Sequence, residues 1–170
     1  MALPQSPASP LFLREAEIRR GIELLHFGHG RLFDAVDRKL EAEGLGRAHH
    51  RALYFIARQP DLTVSRLLAL LGITKQSLGR VLKQLIDEGY VEQRKGADRR
   101  QRLLFVTAKG ESLALKLAGL QTARIGRALT GLEHCDLESA RRFLIAMLDP
   151  GQRDSVLRLI DGGDSRRRRL

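Results

Sequence analysis

Apolar residues at Ile18, Ile22, Leu25, Leu32, Val36 and Leu40 recur at spacings of three, four or seven. That periodicity lines one face, so residues 11–43 are expected to form a long amphipathic helix. Gly28 and Gly30 fall inside it, each costing about 1 kcal/mol relative to Ala, and either kink the helix or admit another backbone closely. Gly44-Leu45-Gly46 stops it, and residues 47–58 make a second helix with Leu53, Ile56 and Ala57 inward. After the break at Gln59-Pro60-Asp61, Thr63 is a good N-cap for a short helix over 64–71, and Gly72 suits a left-handed residue at its end. Thr74 caps a further helix running to about Glu88 and closed by Gly89. Two helices joined by a short Gly-containing turn make the helix-turn-helix pattern.

In the second of these helices Leu78, Val81, Leu82, Leu85 and Ile86 form the apolar face, leaving Thr74, Lys75, Gln76, Ser77, Arg80 and Lys83 on the first turns and the outer face. Two β-rich runs follow directly, residues 90–95 and 102–107, separated by Gly96-Ala97-Asp98-Arg99-Arg100-Gln101. They read as a hairpin with Arg99 and Arg100 at its tip, and a helix-turn-helix followed by such a hairpin is a winged helix. From Ala108 the chain turns helical again, with Leu113, Leu117, Leu120, Ile125, Leu129 and Leu132 on one stripe and Leu137, Ala140, Leu144 and Met147 on another. A last short helix is expected at about 152–160.

Charge sharpens this reading. Of 170 residues, 30 are basic and 20 acidic, a net charge of +10. The excess sits in residues 58–109, which carry +6, and in the Arg166–Arg169 tail, while both flanking segments are close to neutral. A local cationic excess favours an anionic partner such as nucleic acid. The single Cys excludes an intramolecular disulfide framework and suits a reducing compartment. No apolar run is long enough to span a membrane, and the first ten residues lack the basic and apolar regions of a secretory signal, so a cytoplasmic protein without a membrane partner is expected. No phosphate-cradling glycine loop, nucleophile elbow or HExxH motif is present, so the chain is not read as an enzyme and no cofactor is assigned.

Asp98-Arg99-Arg100-Gln101-Arg102-Leu103-Leu104-Phe105-Val106-Thr107-Ala108-Lys109-Gly110 is similar to the wing signature of the MarR family of bacterial winged-helix regulators. Leu70-Leu71-Gly72-Ile73-Thr74-Lys75-Gln76-Ser77 and Leu85-Ile86-Asp87-Glu88-Gly89-Tyr90-Val91 resemble the family's recognition-helix region. One departure is Leu68, where helix-turn-helix sequences often carry Ala. The resemblance implies a mainly α fold with a small β-hairpin wing, and a homodimer whose N- and C-terminal helices interlock into a platform. The expected organisation is a disordered N-terminus over 1–10, dimerisation helices over 11–45 and 108–162, a winged helix-turn-helix over 46–107 and a basic flexible tail over 163–170. Such a dimer sets two recognition helices roughly 34–36 Å apart and suits a pseudo-palindromic operator in double-stranded DNA. A ligand-responsive repressor is the implied role, and an architectural DNA binder of low sequence preference is the alternative.

Thr63, Thr74, Lys75, Gln76, Ser77, Arg80, Lys83, Arg94, Asp98, Arg99 and Arg100 are the candidate DNA contacts, with Lys95 and Arg102 secondary. Arg80 is the best base reader, because a guanidinium fork can grip guanine O6 and N7. The family pattern implies that Arg100 enters the minor groove, oriented by Asp98; Arg99 beside it is read as a phosphate contact. A narrow minor groove concentrates negative potential and suits a guanidinium better than a heavily hydrated ammonium. His29 lies on the apolar stripe of the first helix and is expected to be a core or interface histidine. With His26, His49 and His50 it alternatively lines a pocket for a small-molecule effector. No carboxylate or thiol cluster completes a metal site, so none is assigned. Cys135 is expected to be structural.

Overall fold

A computed structural model describes residues 15–96 and 101–167. In chain order the elements are α1 (Glu15–Glu41), α2 (Arg47–Arg58), β1 (Leu62–Thr63), α3 (Val64–Leu71), α4 (Lys75–Asp87), β2 (Val91–Lys95), β3 (Arg102–Val106), α5 (Ala108–Leu129), α6 (His134–Ala146) and α7 (Pro150–Arg167). The fold is mainly helical with one small antiparallel sheet of order β1-β3-β2.

Short polar side chains start the helices that matter most. Thr63 Oγ1 accepts the Arg66 N–H at 3.1 Å, Thr74 Oγ1 accepts the Ser77 N–H at 3.2 Å, and Thr107 Oγ1 accepts the Gly110 N–H at 3.1 Å. Each satisfies an amide that a helix N-terminus leaves without a partner. Gly72 ends α3 at φ 62°, a left-handed conformation with no Cβ to clash. The turn to α4 is therefore fixed by two local devices, a left-handed glycine and a threonine cap.

Leu53 and Ile56 of α2, Leu67 of α3, Leu78 and Leu85 of α4, Val91 of β2 and Leu104 of β3 close around one core. Val36 and Leu40 from the end of α1 and Leu113 and Leu117 from the start of α5 complete it. The core thus draws on both sides of the boundaries expected at residues 45 and 108. Leu68 is half-buried against it, so the larger side chain is absorbed by packing.

The strand β1 is an addition to the sequence reading. Leu62 and Thr63 pair with Leu104 and Leu103, tying the segment before α3 to the far strand of the hairpin. Two residues are too few to show a period of two.

Much of the apolar stripes on the flanking helices is uncovered within one chain. Ile18, Ile22 and Leu25 of α1 are exposed, as are Leu120, Ile125 and Leu129 of α5, Leu132 after it, and Leu144 and Met147 at the end of α6. The core of one chain starts at Val36 and ends at Leu117, and these helices run past it. His29, expected as a core or interface histidine, is exposed and so lies outside the core of this chain; Ile86, at the edge of the apolar face of α4, is exposed as well. Cys135, expected as a structural residue, lies exposed in the first turn of α6. The final helix extends past the expected end at Ile160 to Arg167, so the backbone of 163–167, read as flexible tail, is helical. Glycine weakens a helix without forbidding it, and no proline interrupts this segment. Arg58 of α2 donates to the Ile160 carbonyl at 3.1 Å, tethering α7. Residues 1–10 and Arg168–Arg169 lie outside the described residues.

Candidate nucleic-acid interface

Leu78, Val81, Leu82 and Leu85 bury one face of α4, which turns the opposite face to solvent. Lys75, Gln76, Ser77, Arg80 and Lys83 are all exposed there. Thr74 and Ser77 are also bonded to each other, hydroxyl to hydroxyl at 2.9 Å, so these two side chains rigidify the first turn. Lys83 pairs with Asp87 one turn along. No hydrogen bond or ion pair holds Arg80 among the described residues, leaving its guanidinium available to an outside partner. The N-terminus of α4 adds the partial positive charge of its unpaired amides.

Beside α4 stands the hairpin. Its ladder runs from Val91↔Val106 to Lys95↔Arg102, and the Gly96 N–H donates to the Gln101 carbonyl at 3.1 Å. Arg94 lies 4.4 Å over the Phe105 ring and pairs with Glu92, so it is held along the stem. Lys95 and Arg102 are exposed at its outer end. Asp98, Arg99 and Arg100 lie outside the described residues. Thr63 is half-buried, capping α3 and pairing in the sheet, and so has two structural tasks.

A junction that the sequence reading missed fixes how hairpin and helices meet. Tyr90 is buried, and its phenol donates to Glu43 Oε2 at 2.9 Å, reaching from the start of the hairpin to the chain just after α1. Burial first, and the Glu43 carboxylate second, push the Tyr90 phenol up to about 12, so it stays a donor. Lys39 pairs with Glu43 at 2.5 Å and, with Tyr90, holds that carboxyl below its ordinary range. Lys109 Nζ sits 4.0 Å over the Tyr90 ring and donates to the Glu88 carbonyl at 2.8 Å. Thr107 Oγ1 donates to the Gly89 carbonyl at 2.7 Å. The signal available in sequence was a lone Tyr closing the turn after a helix, where a buried phenol needs an acceptor.

The four histidines separate. His49 Nδ1 accepts the Gly46 N–H at 3.0 Å and caps α2. His29 lies against Phe33 with ring centroids 4.8 Å apart, Phe33 against His50 at 6.0 Å, and His50 against Tyr54 at 6.5 Å. His26 is exposed farther up α1, beside Phe27. Among the described residues no group of three or more His, Cys, Asp or Glu is arranged to hold a metal.

His50 is buried with its Nδ1 unpartnered. Desolvation pulls its pKa below 6.5, and the nearby Asp37 carboxylate opposes this in part. Asp37 is itself held low, first by its hydrogen bonds from Arg47 at 3.0 and 2.6 Å. Above pH 6.5 His50 is neutral whether folded or unfolded. Below it the unfolded chain takes up a proton that the folded chain resists, so stability falls as pH drops from 6.5 towards the lower folded value. His50→Phe, which keeps an aromatic ring but cannot titrate, should flatten this decline. Urea midpoints between about pH 7 and 5 measure it, and an unchanged slope would remove His50 as its source.

Likenesses to a family and to three known proteins bear on this arrangement. The model of the MarR family matches residues 43–101, which run from just after α1 to the residue before β3. The HTH-type transcriptional regulator PetP of Rhodobacter capsulatus is 44% identical over 144 residues, covering 84% of this chain and 87% of that protein. Among solved structures, Streptococcus pneumoniae FabT in complex with DNA superposes with a TM-score of 0.70 at 19% identity, covering 76% of this chain and 94% of that one. A MarR family regulator from Silicibacter pomeroyi gives a TM-score of 0.65 at 23% identity, over 79% of this chain and 94% of that one. At those identities the structural likenesses speak for the fold alone.

Proposed function

The chain belongs to the MarR family of transcriptional regulators, and from that premise we propose that it binds a pseudo-palindromic operator in double-stranded DNA as a homodimer and represses transcription there. One observation carries this reading: a Thr74-capped helix with a fully exposed polar and basic face stands beside a hairpin whose basic turn opens at Gly96 and Gln101. Lys75, Gln76, Ser77, Arg80 and Lys83 face the major groove, where base edges carry a distinct donor and acceptor code. Thr74 and Thr63 set helix N-termini towards phosphates, while Arg94, Arg99 and Arg100, with Asp98 orienting the last, follow the adjoining backbone and minor groove.

The uncovered apolar faces of α1, α5 and α6 support the dimer, since a second copy covers them by two-fold symmetry. Residues 46–107 then act as the DNA-binding unit and the flanking helices as the platform, in the bacterial cytoplasm. A small-molecule effector acts at the contact of α1 with α2, where the unpartnered Nδ1 of buried His50 lies among aromatic rings and His29 lies at the edge, while His26 and His49 stand apart from it. Such an effector shifts the protein only by binding the DNA-competent and incompetent arrangements differently.

Arg80 tests the base-reading part. In titrations against single-base variants of the preferred duplex, Arg80→Ala should relax the preference at one position in each half-site, by about 1–3 kcal/mol of discrimination. A loss uniform across all variants would reduce Arg80 to a phosphate contact.

A further inference from the structure

Gly79 has no task inside this chain. It is the fifth residue of α4, deep enough that glycine is disfavoured relative to alanine. Its backbone does not require glycine, because the glycines with positive φ are Gly44, Gly72 and Gly89. Packing does not require it either: a Cβ built at Gly79 meets no heavy atom within 4 Å. Gly110 is the contrast, since a Cβ there would come within 1.9 Å of the Tyr90 carbonyl oxygen.

The surroundings say what kind of neighbour the missing side chain admits. Buried Leu78 and Leu82 fix the rotation of α4, and Gly79 is exposed beside that buried face. Lys75, Gln76 and Lys83 stand four before, three before and four after it, so they border it on the helix surface. Of the other helical glycines with open space, Gly21, Gly28, Gly30, Gly119 and Gly126 belong to α1 and α5, whose apolar faces are uncovered, and Gly151 stands in the first turn of α7, where glycine costs less than in a helix interior. Gly79 opens on a polar, basic surface, where no apolar self-association explains it. A notch one methyl deep between two lysines and a glutamine fits a polyanion that presses its polar edges against the helix backbone.

We propose that Gly79 sets how closely α4 approaches the base edges of the major groove and is a specificity-determining position of this regulator. The inference rests on the DNA-binding reading above. Glycine serves where a backbone must come close to a ligand, and any Cβ at this point lifts the helix from the groove, lengthening the hydrogen bonds of Gln76 and Arg80 together.

The diagnostic feature is that stability and binding move in opposite directions. Gly79→Ala should raise the Tm of the free protein by roughly 2–4 °C, as an alanine does in a helix interior. It should weaken binding to the preferred duplex about tenfold, spread over the base pairs that Gln76 and Arg80 read in each half-site, and Gly79→Leu should weaken it about a hundredfold. Unchanged affinity of Gly79→Ala, with the unsubstituted protein binding normally, overturns the inference alone. A lowered Tm overturns it too, because glycine would then have a structural task. Failure of the unsubstituted protein to select any duplex from a random pool overturns the DNA-binding reading and this inference with it.

Discussion

Arg100→Ala should bind the preferred duplex at least about tenfold more weakly than the unsubstituted protein while remaining dimeric. The hairpin ladder is complete as far as Lys95↔Arg102, and Gly96 and Gln101 close its end with a hydrogen bond of 3.1 Å. In the sequence, the residues between them include Asp98, Arg99 and Arg100. A guanidinium there gains from the concentrated potential of a narrow minor groove and sheds its weakly held water at little cost. Removing it leaves every packed residue in place, so light scattering should still report two chains per particle. Equal affinities in an equilibrium titration at fixed salt would contradict the role given to the wing.

Gly110→Ala should destabilise the protein by about 3 kcal/mol or more, lowering Tm by roughly 6–12 °C. The Gly110 Cβ would lie 1.9 Å from the Tyr90 carbonyl oxygen and 2.9 Å from its carbon, both backbone atoms that no rotamer change removes. That carbonyl already accepts the Thr107 N–H at 3.1 Å, and Tyr90 is held through its phenol by Glu43. Moving the first turn of α5 away would therefore open the junction where α5, the hairpin and the segment after α1 meet. Thermal unfolding measures this directly. A change under about 2 °C would mean that the junction yields, and that the close contact constrains nothing.

Punctuation made most of the fold legible. Thr63, Gly72, Thr74 and Gly89 each act through bonds or dihedrals confined to a few residues, so the helix-turn-helix could be placed from their identity and spacing. The wing followed because two β-rich runs of five residues flank a glycine turn. Long-range consequences were harder to see. The strand β1 exists because Leu104 and Leu103 lie opposite Leu62 and Thr63, a partnership spanning about 40 residues that no local pattern records. Periodicity found the apolar stripes of α1 and α5 but could not say that Val36 and Leu117 mark where one chain's core stops, leaving Ile22 and Ile125 outside it. His29 likewise lies outside the core of one chain. At the interface, exposed basic residues were legible because helix spacing assigns a face, whereas Gly79 escaped notice because a residue without a side chain offers no chemistry to search for.

Competition between the selected palindrome and random duplex, titrated over salt, decides whether this protein reads sequence or merely coats DNA. At about 0.15 M salt the palindrome should win by a factor on the order of 10³ or more, with both affinities falling as salt displaces the phosphate contacts. A ratio near one at every salt concentration would contradict sequence reading and leave an architectural DNA binder built on the same winged helix.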